Sequence, residues 1–107
     1  MNTRQQKILT SVIEEYTNTA IPVSSEILVK KYKIKASSAT IRTDMTKLEK
    51  DGFLYQPHIS AGRVPTDEGY RYFVEEIMKE RELSMNEQKK LQTELLKLKA
   101  KNTRLER

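Results

Sequence analysis

Residues 37–52, Ser-Ser-Ala-Thr-Ile-Arg-Thr-Asp-Met-Thr-Lys-Leu-Glu-Lys-Asp-Gly, constrain this chain more than any other stretch. Ser37 or Ser38 can cap a helix start by accepting a bond from a free backbone N–H, and Gly52 can close the helix in the left-handed conformation. Ile41, Met45 and Leu48 follow i, i+4, i+7 spacing and define a single narrow apolar stripe. The remaining face carries Ala39, Thr40, Arg42, Thr43, Thr46, Lys47 and Lys50, with Glu49 as its acid. Such a helix is held from one side and offers hydroxyls and positive charge on the other. Those groups suit the edges of bases in a DNA major groove. The competing reading is an ordinary solvated helix face, and the sequence that follows Gly52 weighs against it.

A chain of 107 residues has room for one small core and an appended element. It contains no cysteine, which excludes disulfides and Cys-type zinc sites, and its one histidine, His58, cannot build a multi-His metal site. Neither a membrane span nor a signal peptide is expected, since no long apolar run occurs. The net charge of +5 is unevenly spread. Residues 30–63 hold eight basic side chains against three acidic, whereas residues 64–83 hold three against six. Positive charge therefore gathers around the helix at 37–52 and the loop after it, as in a polyanion footprint.

Ahead of that helix, residues 3–17 read as a first helix. Thr3 and Gln6 form a candidate capping box, and Ile8, Leu9, Val12, Ile13 and Tyr16 form the inward stripe. Residues 18–23 read as a loop, because Pro22 biases Ile21 away from helix. Ser24 or Ser25 then caps a short helix reaching about residue 32, with Ile27 and Leu28 inward and Lys30 and Lys31 outward. Two short helices joined by the tight connection at 33–36 match a helix-turn-helix.

Beyond Gly52, residues 53–56 are β-prone, residues 57–62 have loop composition, and residues 63–65 suit a returning edge strand. A hairpin in that place is a wing, whose tip would carry His58, Ser60 and Arg63 toward phosphate or a minor groove. Thr66 caps the next helix, with Asp67 and Glu68 favourable to its dipole. Tyr70, Phe73, Val74, Ile77 and Met78 are its expected apolar side. Glu14, Glu15, Glu75 and Glu76 read as solvated helix faces. With no nucleophile–base pair, phosphate-cradling glycine loop or metal cluster in the sequence, an enzyme is not expected.

Three stretches together carry a family resemblance: Ser-Ser-Ala-Thr-Ile-Arg at 37–42, Gln-Pro-His-Ile-Ser-Ala-Gly-Arg-Val-Pro-Thr at 56–66, and Gly-Tyr-Arg at 69–71. Over residues 3–83 the chain resembles the N-terminal DNA-binding domain of the heat-inducible transcription repressor HrcA of bacteria. The resemblance implies a winged helix-turn-helix that represses chaperone operons by binding an inverted-repeat operator. It places Ser37, Ser38, Thr40, Arg42 and Thr43 in the recognition helix, and His58, Ser60 and Arg63 in the wing. Thr43 stands where the family pattern has Asn; it is shorter and lacks the amide, so the family's base preference at that one position is not carried over. The family's long C-terminal region has no counterpart in these 107 residues, and its heat sensing is not carried over.

The tail, residues 84–107, has its own pattern. Ser84 and Glu87 read as a capping box. Leu91, Leu98 and Leu105 recur every seven residues at d positions, with Gln88, Leu95 and Asn102 at a. A lone Asn at a favours a two-stranded parallel coil. Glu94 facing Lys99, and Lys101 facing Glu106, would be attractive pairs in that register.

The expected architecture is therefore mainly α with a small β-hairpin: a winged helix-turn-helix over residues 1–83, then a coiled-coil-like helix over 84–107. The expected function is a dimeric, sequence-specific repressor of double-stranded DNA. Arg42 would read bases, Ser37, Ser38 and Thr40 would position the helix, and Lys35, Lys47 and Arg63 would supply salt-sensitive affinity. Leu91, Leu95, Leu98, Asn102 and Leu105 would form the dimer seam. No cofactor, metal, small molecule or membrane is expected, and the location is the bacterial cytoplasm at the nucleoid. The alternative is a winged-helix protein-interaction module recruiting partners through its tail.

Overall fold

The computed structural model describes residues 1–59 and 61–105, with side chains as far as Lys99. The chain divides into two compact units, Met1–Ile77 and Met78–Arg107.

In the first unit α1 (Thr3–Thr19) is followed by α2 (Ser25–Lys30) and α3 (Ser38–Lys50). The capping box that starts α1 is one residue earlier than the Thr3–Gln6 pair. Asn2 Oδ1 accepts from the Gln5 N–H at 2.7 Å, and the Asn2 N–H donates to Gln5 Oε1 at 3.1 Å. Asn is at least as good a cap as Thr, which decides the register. The helix ends at Ala20, which is left-handed at φ 57° although it is not glycine. Ser24 is the cap of α2, accepting from the Ile27 N–H at 3.3 Å.

Of the two candidate caps for α3, Ser37 serves, accepting from the Thr40 N–H at 3.1 Å. At the other end Gly52 has φ +89°. Its N–H bonds Glu49 O at 3.0 Å while the Phe53 N–H bonds Leu48 O at 2.9 Å. This paired 5→2 and 6→1 arrangement satisfies the last carbonyls and turns the chain sharply into the wing.

The wing is an antiparallel pair, β1 (Leu54–Tyr55) and β2 (Val64–Pro65), with Leu54 opposite Pro65 and Tyr55 opposite Val64. A third piece of backbone joins this sheet. Val23, within the stretch read as a loop, exchanges both backbone hydrogen bonds with Arg63, at 2.9 and 2.8 Å. The wing is thereby tied to the entrance of α2. Gly62 permits this approach, since a Cβ there would lie 2.2 Å from Val23 O.

Thr66 caps α4 (Asp67–Tyr72), accepting from the Gly69 N–H at 3.0 Å and donating to Gly52 O. Residues Phe73–Met78 then form a π-helical stretch. Its i→i+5 bonding widens the turn and slips the inward stripe. Tyr70, Tyr72, Phe73 and Ile77 pack against the core, whereas Val74 and Met78, expected inside, are exposed. The Tyr72 ring lies 5.2 Å from that of Phe53 at a tilt of 53°, a favourable aromatic pairing.

The core is built from Ile8, Leu9, Val12 and Ile13 of α1, Leu28 of α2 and Ile41, Met45 and Leu48 of α3, closed by Val23, Ile34 and Leu54. The stripe inferred for α3 is buried throughout.

Two buried carboxylates accompany this core. Glu15, expected on a solvated face, is only 5% exposed. It accepts from Lys31 Nζ at 3.0 Å and from the Tyr32 hydroxyl at 2.9 Å, joining α1 to α2 and the turn after it. Asp44 of α3, 6% exposed, accepts from Arg4 and from Gln5 Nε2, joining α3 to the start of α1. Buried charge persists only where such partners are supplied.

The second unit is one helix, α5 (Lys79–Leu105). Ser84 lies inside it rather than at a start, because Glu80, Arg81, Glu82 and Leu83 are good helix formers and nothing interrupts them. Leu91, Leu95 and Leu98 are each more than half exposed, as is Leu96 outside their row. The side chains of Lys101, Asn102, Leu105 and Glu106 lie outside the described residues, so that part of the proposed seam does too.

Candidate nucleic-acid interface

The stripe Ile41, Met45, Leu48 is buried at 0%, 2% and 1%, and this fixes which side of α3 looks outward. Arg42, Thr43 and Lys47 are exposed on that side, and Ser37 is exposed at its start. Each has a different local engagement. Ser37 Oγ is committed to capping and lies 2.9 Å from Thr40 Oγ1. Ser38 Oγ lies 3.1 Å from Ser25 Oγ, so it links the starts of α2 and α3. The Thr43 hydroxyl donates to Ala39 O at 3.1 Å, leaving its acceptor lone pairs and methyl facing out. Lys47 Nζ is 3.3 Å from Asp51 Oδ1, a pair four residues apart on an exposed surface. Arg42 has no ion-pair partner among the described residues, and its guanidinium keeps its full fork of donors.

A cleft of about 470 Å³ separates α3 from the wing. Ser24, Ser25 and the exposed carboxylate Glu26 line it from the start of α2, Arg42 from α3, and Gln56, Ile59 and Arg63 from the wing. Of the expected site residues, Arg42 and Arg63 meet here, whereas Lys35, Lys47 and His58 do not line the cleft. His58 is exposed near the wing tip, Lys35 is exposed in the turn before α3, and Ser60 lies outside the described residues.

Arg63 differs in exposure from a tip residue. Its side chain is 13% exposed and reaches toward α3, where Nε is 3.4 Å from Glu49 Oε1. That separation gives Coulomb attraction without hydrogen-bond geometry, and Nε is sealed from solvent with no hydrogen bond among the described residues. Arg63 stands at the root of the wing because its own backbone pairs with Val23.

The wing loop is held by Gln56, which the sequence reading did not single out. Its Nε2 donates to Ile59 O at 2.6 Å and to Ala61 O at 3.0 Å, and the Ala61 N–H donates to His58 O at 3.1 Å. A glutamine five residues before an alanine carries no local signal of such a clamp. The helix, cleft and clamped wing together form a concave strip along which hydroxyls, Arg42, Arg63 and the carboxylate of Glu26 lie.

Extended similarity to known proteins covers this strip. The chain is 56% identical over 86 residues to the heat-inducible transcription repressor HrcA of Chloroflexus aurantiacus, an alignment covering 80% of this chain and 23% of that protein. It is 50% identical over 100 residues to the heat-inducible transcription repressor HrcA of Natranaerobius thermophilus, covering 94% of this chain and 29% of that one. The chain belongs to the HrcA family. It corresponds to the N-terminal domain of HrcA and spans about a quarter of the length of these relatives. The crystal structure of a hypothetical protein has the same fold as this HrcA domain, with a TM-score of 0.69 and 51% identity over 74% of this chain and 25% of that one. No family model matches the chain. No described helix of this HrcA-type chain is long and apolar enough to cross a membrane.

Proposed function

We propose that this chain is the DNA-binding part of a transcription repressor, seating α3 in the major groove of double-stranded DNA and the wing in the adjacent minor groove. The observation that carries this reading is the cleft between them, which has Arg42 on one wall and Ile59 and Arg63 on the other. In B-DNA the two grooves are separated by one sugar–phosphate strand, and the serine hydroxyls and arginines of this cleft suit that strand, with Glu26 at the start of α2 as the acid that the strand must pass. The relatives' name, heat-inducible transcription repressor, supports a repressor role. In the proposed reading the targets are chaperone operons and the location is the bacterial nucleoid.

In this reading Arg42 reads a base edge, Thr43 contributes its methyl and hydroxyl beside it, and Ser37, Ser38 and Thr40 set the register of α3. Lys35, Lys47, His58 and Ser60 add contacts along the backbone. Two copies bind an inverted repeat because α5 pairs in parallel through Leu91, Leu95, Leu98, Asn102 and Leu105. A two-fold protein matches a two-fold site. The exposure of Leu91, Leu95 and Leu98 supports a seam of that kind.

Selection of duplexes from a randomised library, followed by fluorescence anisotropy and light scattering, tests the proposal. The expected result is an enriched inverted repeat bound by two chains, with affinity falling steeply as salt rises. Binding of scrambled and selected duplexes alike would refute it. A one-chain complex on the enriched site would remove the coiled-coil part and favour α5 as a docking helix for another protein.

A further inference from the structure

We propose that Ile59 is a specificity-determining residue that enters the minor groove beside the segment read by α3 and selects A·T pairs there. The inference rests on the DNA-binding reading above and goes beyond it by assigning a base preference to an apolar side chain.

Ile59 is 98% exposed, the highest value among the large apolar residues of the described chain. A single exposed isoleucine is ordinary on a protein surface. Its setting is what separates this one. Gln56 Nε2 donates to the carbonyls of Ile59 and Ala61, and the Ala61 N–H donates to His58 O, so the Ile59 carbonyl is held against Gln56 while the Ile59 side chain is exposed. At the neck of the wing, Gly62 is pressed against Val23 and Ser24 with no room for a Cβ, which anchors the clamped loop to the body of the domain. Ile59 also lines the same cleft as Arg42. With α3 in a major groove and a backbone strand in the cleft, the next surface that Ile59 meets is the minor groove.

The chemistry of that groove gives the preference. A·T and T·A pairs present only acceptors on a smooth floor, whereas G·C adds the guanine N2 amino group. An isoleucine has no acceptor for that donor and collides with it, while sugar and adenine edges accept its methyl groups. Apolar side chains, isoleucine among them, do enter the minor groove in other proteins, as wedges between base steps.

The test uses the 107-residue chain and the duplex that it selects from a random library. Each pair flanking the segment contacted by α3 is changed to G·C and, separately, to inosine·C, which looks like G·C in the major groove but lacks the minor-groove amino group. Wild type is expected to select A·T at one or two flanking positions. There it should lose roughly tenfold in affinity on G·C and recover on inosine·C. Ile59→Ala should bind the parent duplex roughly tenfold more weakly and show no G·C penalty, and Ile59→Leu should keep both properties. Because Ile59 is exposed, both variants should unfold at the wild-type urea midpoint. Selective binding by wild type without a penalty relieved by inosine, or a penalty that survives in Ile59→Ala, overturns the proposal and leaves the DNA-binding reading standing. Failure of wild type to select any duplex overturns both.

Discussion

Glu49 Oε1, on α3, stands 3.4 Å from Arg63 Nε at the root of the wing. The two elements that would straddle a DNA backbone are thus coupled by opposite charges that are 33% and 13% exposed. The pairing holds the wing toward α3 and also neutralises a cation that phosphate would attract. Glu49→Gln keeps the shape and removes the opposing charge. It should lower stability by less than about 1 kcal/mol, since the acid is partly solvated. On DNA it should raise affinity and steepen the salt dependence by about one charge. Arg63→Ala, by contrast, removes a mostly buried stem as well and should cost about 1–2 kcal/mol in urea unfolding. A Glu49→Gln variant whose salt slope equals that of wild type would show that Arg63 never reaches phosphate.

Arg42 and Lys47 lie on one outward face yet should fail differently when truncated. Arg42→Ala should reduce discrimination between the selected duplex and a scrambled one by about 1–3 kcal/mol. Lys47→Ala should weaken both duplexes equally and lower the salt slope by less than one, because Asp51 already holds its ammonium. Anisotropy titrations at three salt concentrations separate the two behaviours. Neither change should move the unfolding midpoint.

The Glu15–Lys31–Tyr32 cluster should make stability depend on pH at both extremes. Hydrogen bonds from Lys31 and Tyr32 hold the Glu15 carboxyl below its ordinary pKa, against the opposing effect of burial. The folded state therefore favours the carboxylate. Its contribution is complete above the ordinary value of about 4.3 and fades as pH falls toward the lower folded value. Burial, and then the bond to Glu15, push the Tyr32 hydroxyl up to about 12. Its contribution is complete below about 10 and fades as pH rises through the folded value. Glu15→Gln should flatten the acid limb of a urea-midpoint profile, and Tyr32→Phe the alkaline limb. Unchanged limbs would show that the cluster does not couple folding to protons.

Gly62→Ala should detach the wing from the body. A methyl group 2.2 Å from Val23 O cannot be housed without moving backbone. The expected loss is about 1–3 kcal/mol. Hydrogen exchange of the Val23 and Arg63 amides, each of which donates to the other residue's carbonyl across this contact, should accelerate more than that of Ile8 or Leu9.

Much of this domain was decided by spacing along the chain. Ser37 with Thr40, Gly52 after Lys50, and Thr66 with Gly69 are relations within a few residues, and their capping chemistry does not depend on what lies elsewhere. The buried row Ile41, Met45, Leu48 follows from helical period alone, and it names the outward face by exclusion. Tertiary structure decided the fate of the polar residues. Glu15 and Asp44 look like surface carboxylates until Lys31, Tyr32 and Arg4 arrive from other elements, Arg4 from 40 positions away. Arg63 was drawn inward by Val23 and Glu49, and the π-helical turn at Phe73–Met78 moved Val74 outward. Periodicity reports which way a side chain points, whereas the burial of a charge depends on a partner whose place is set only when the helices pack.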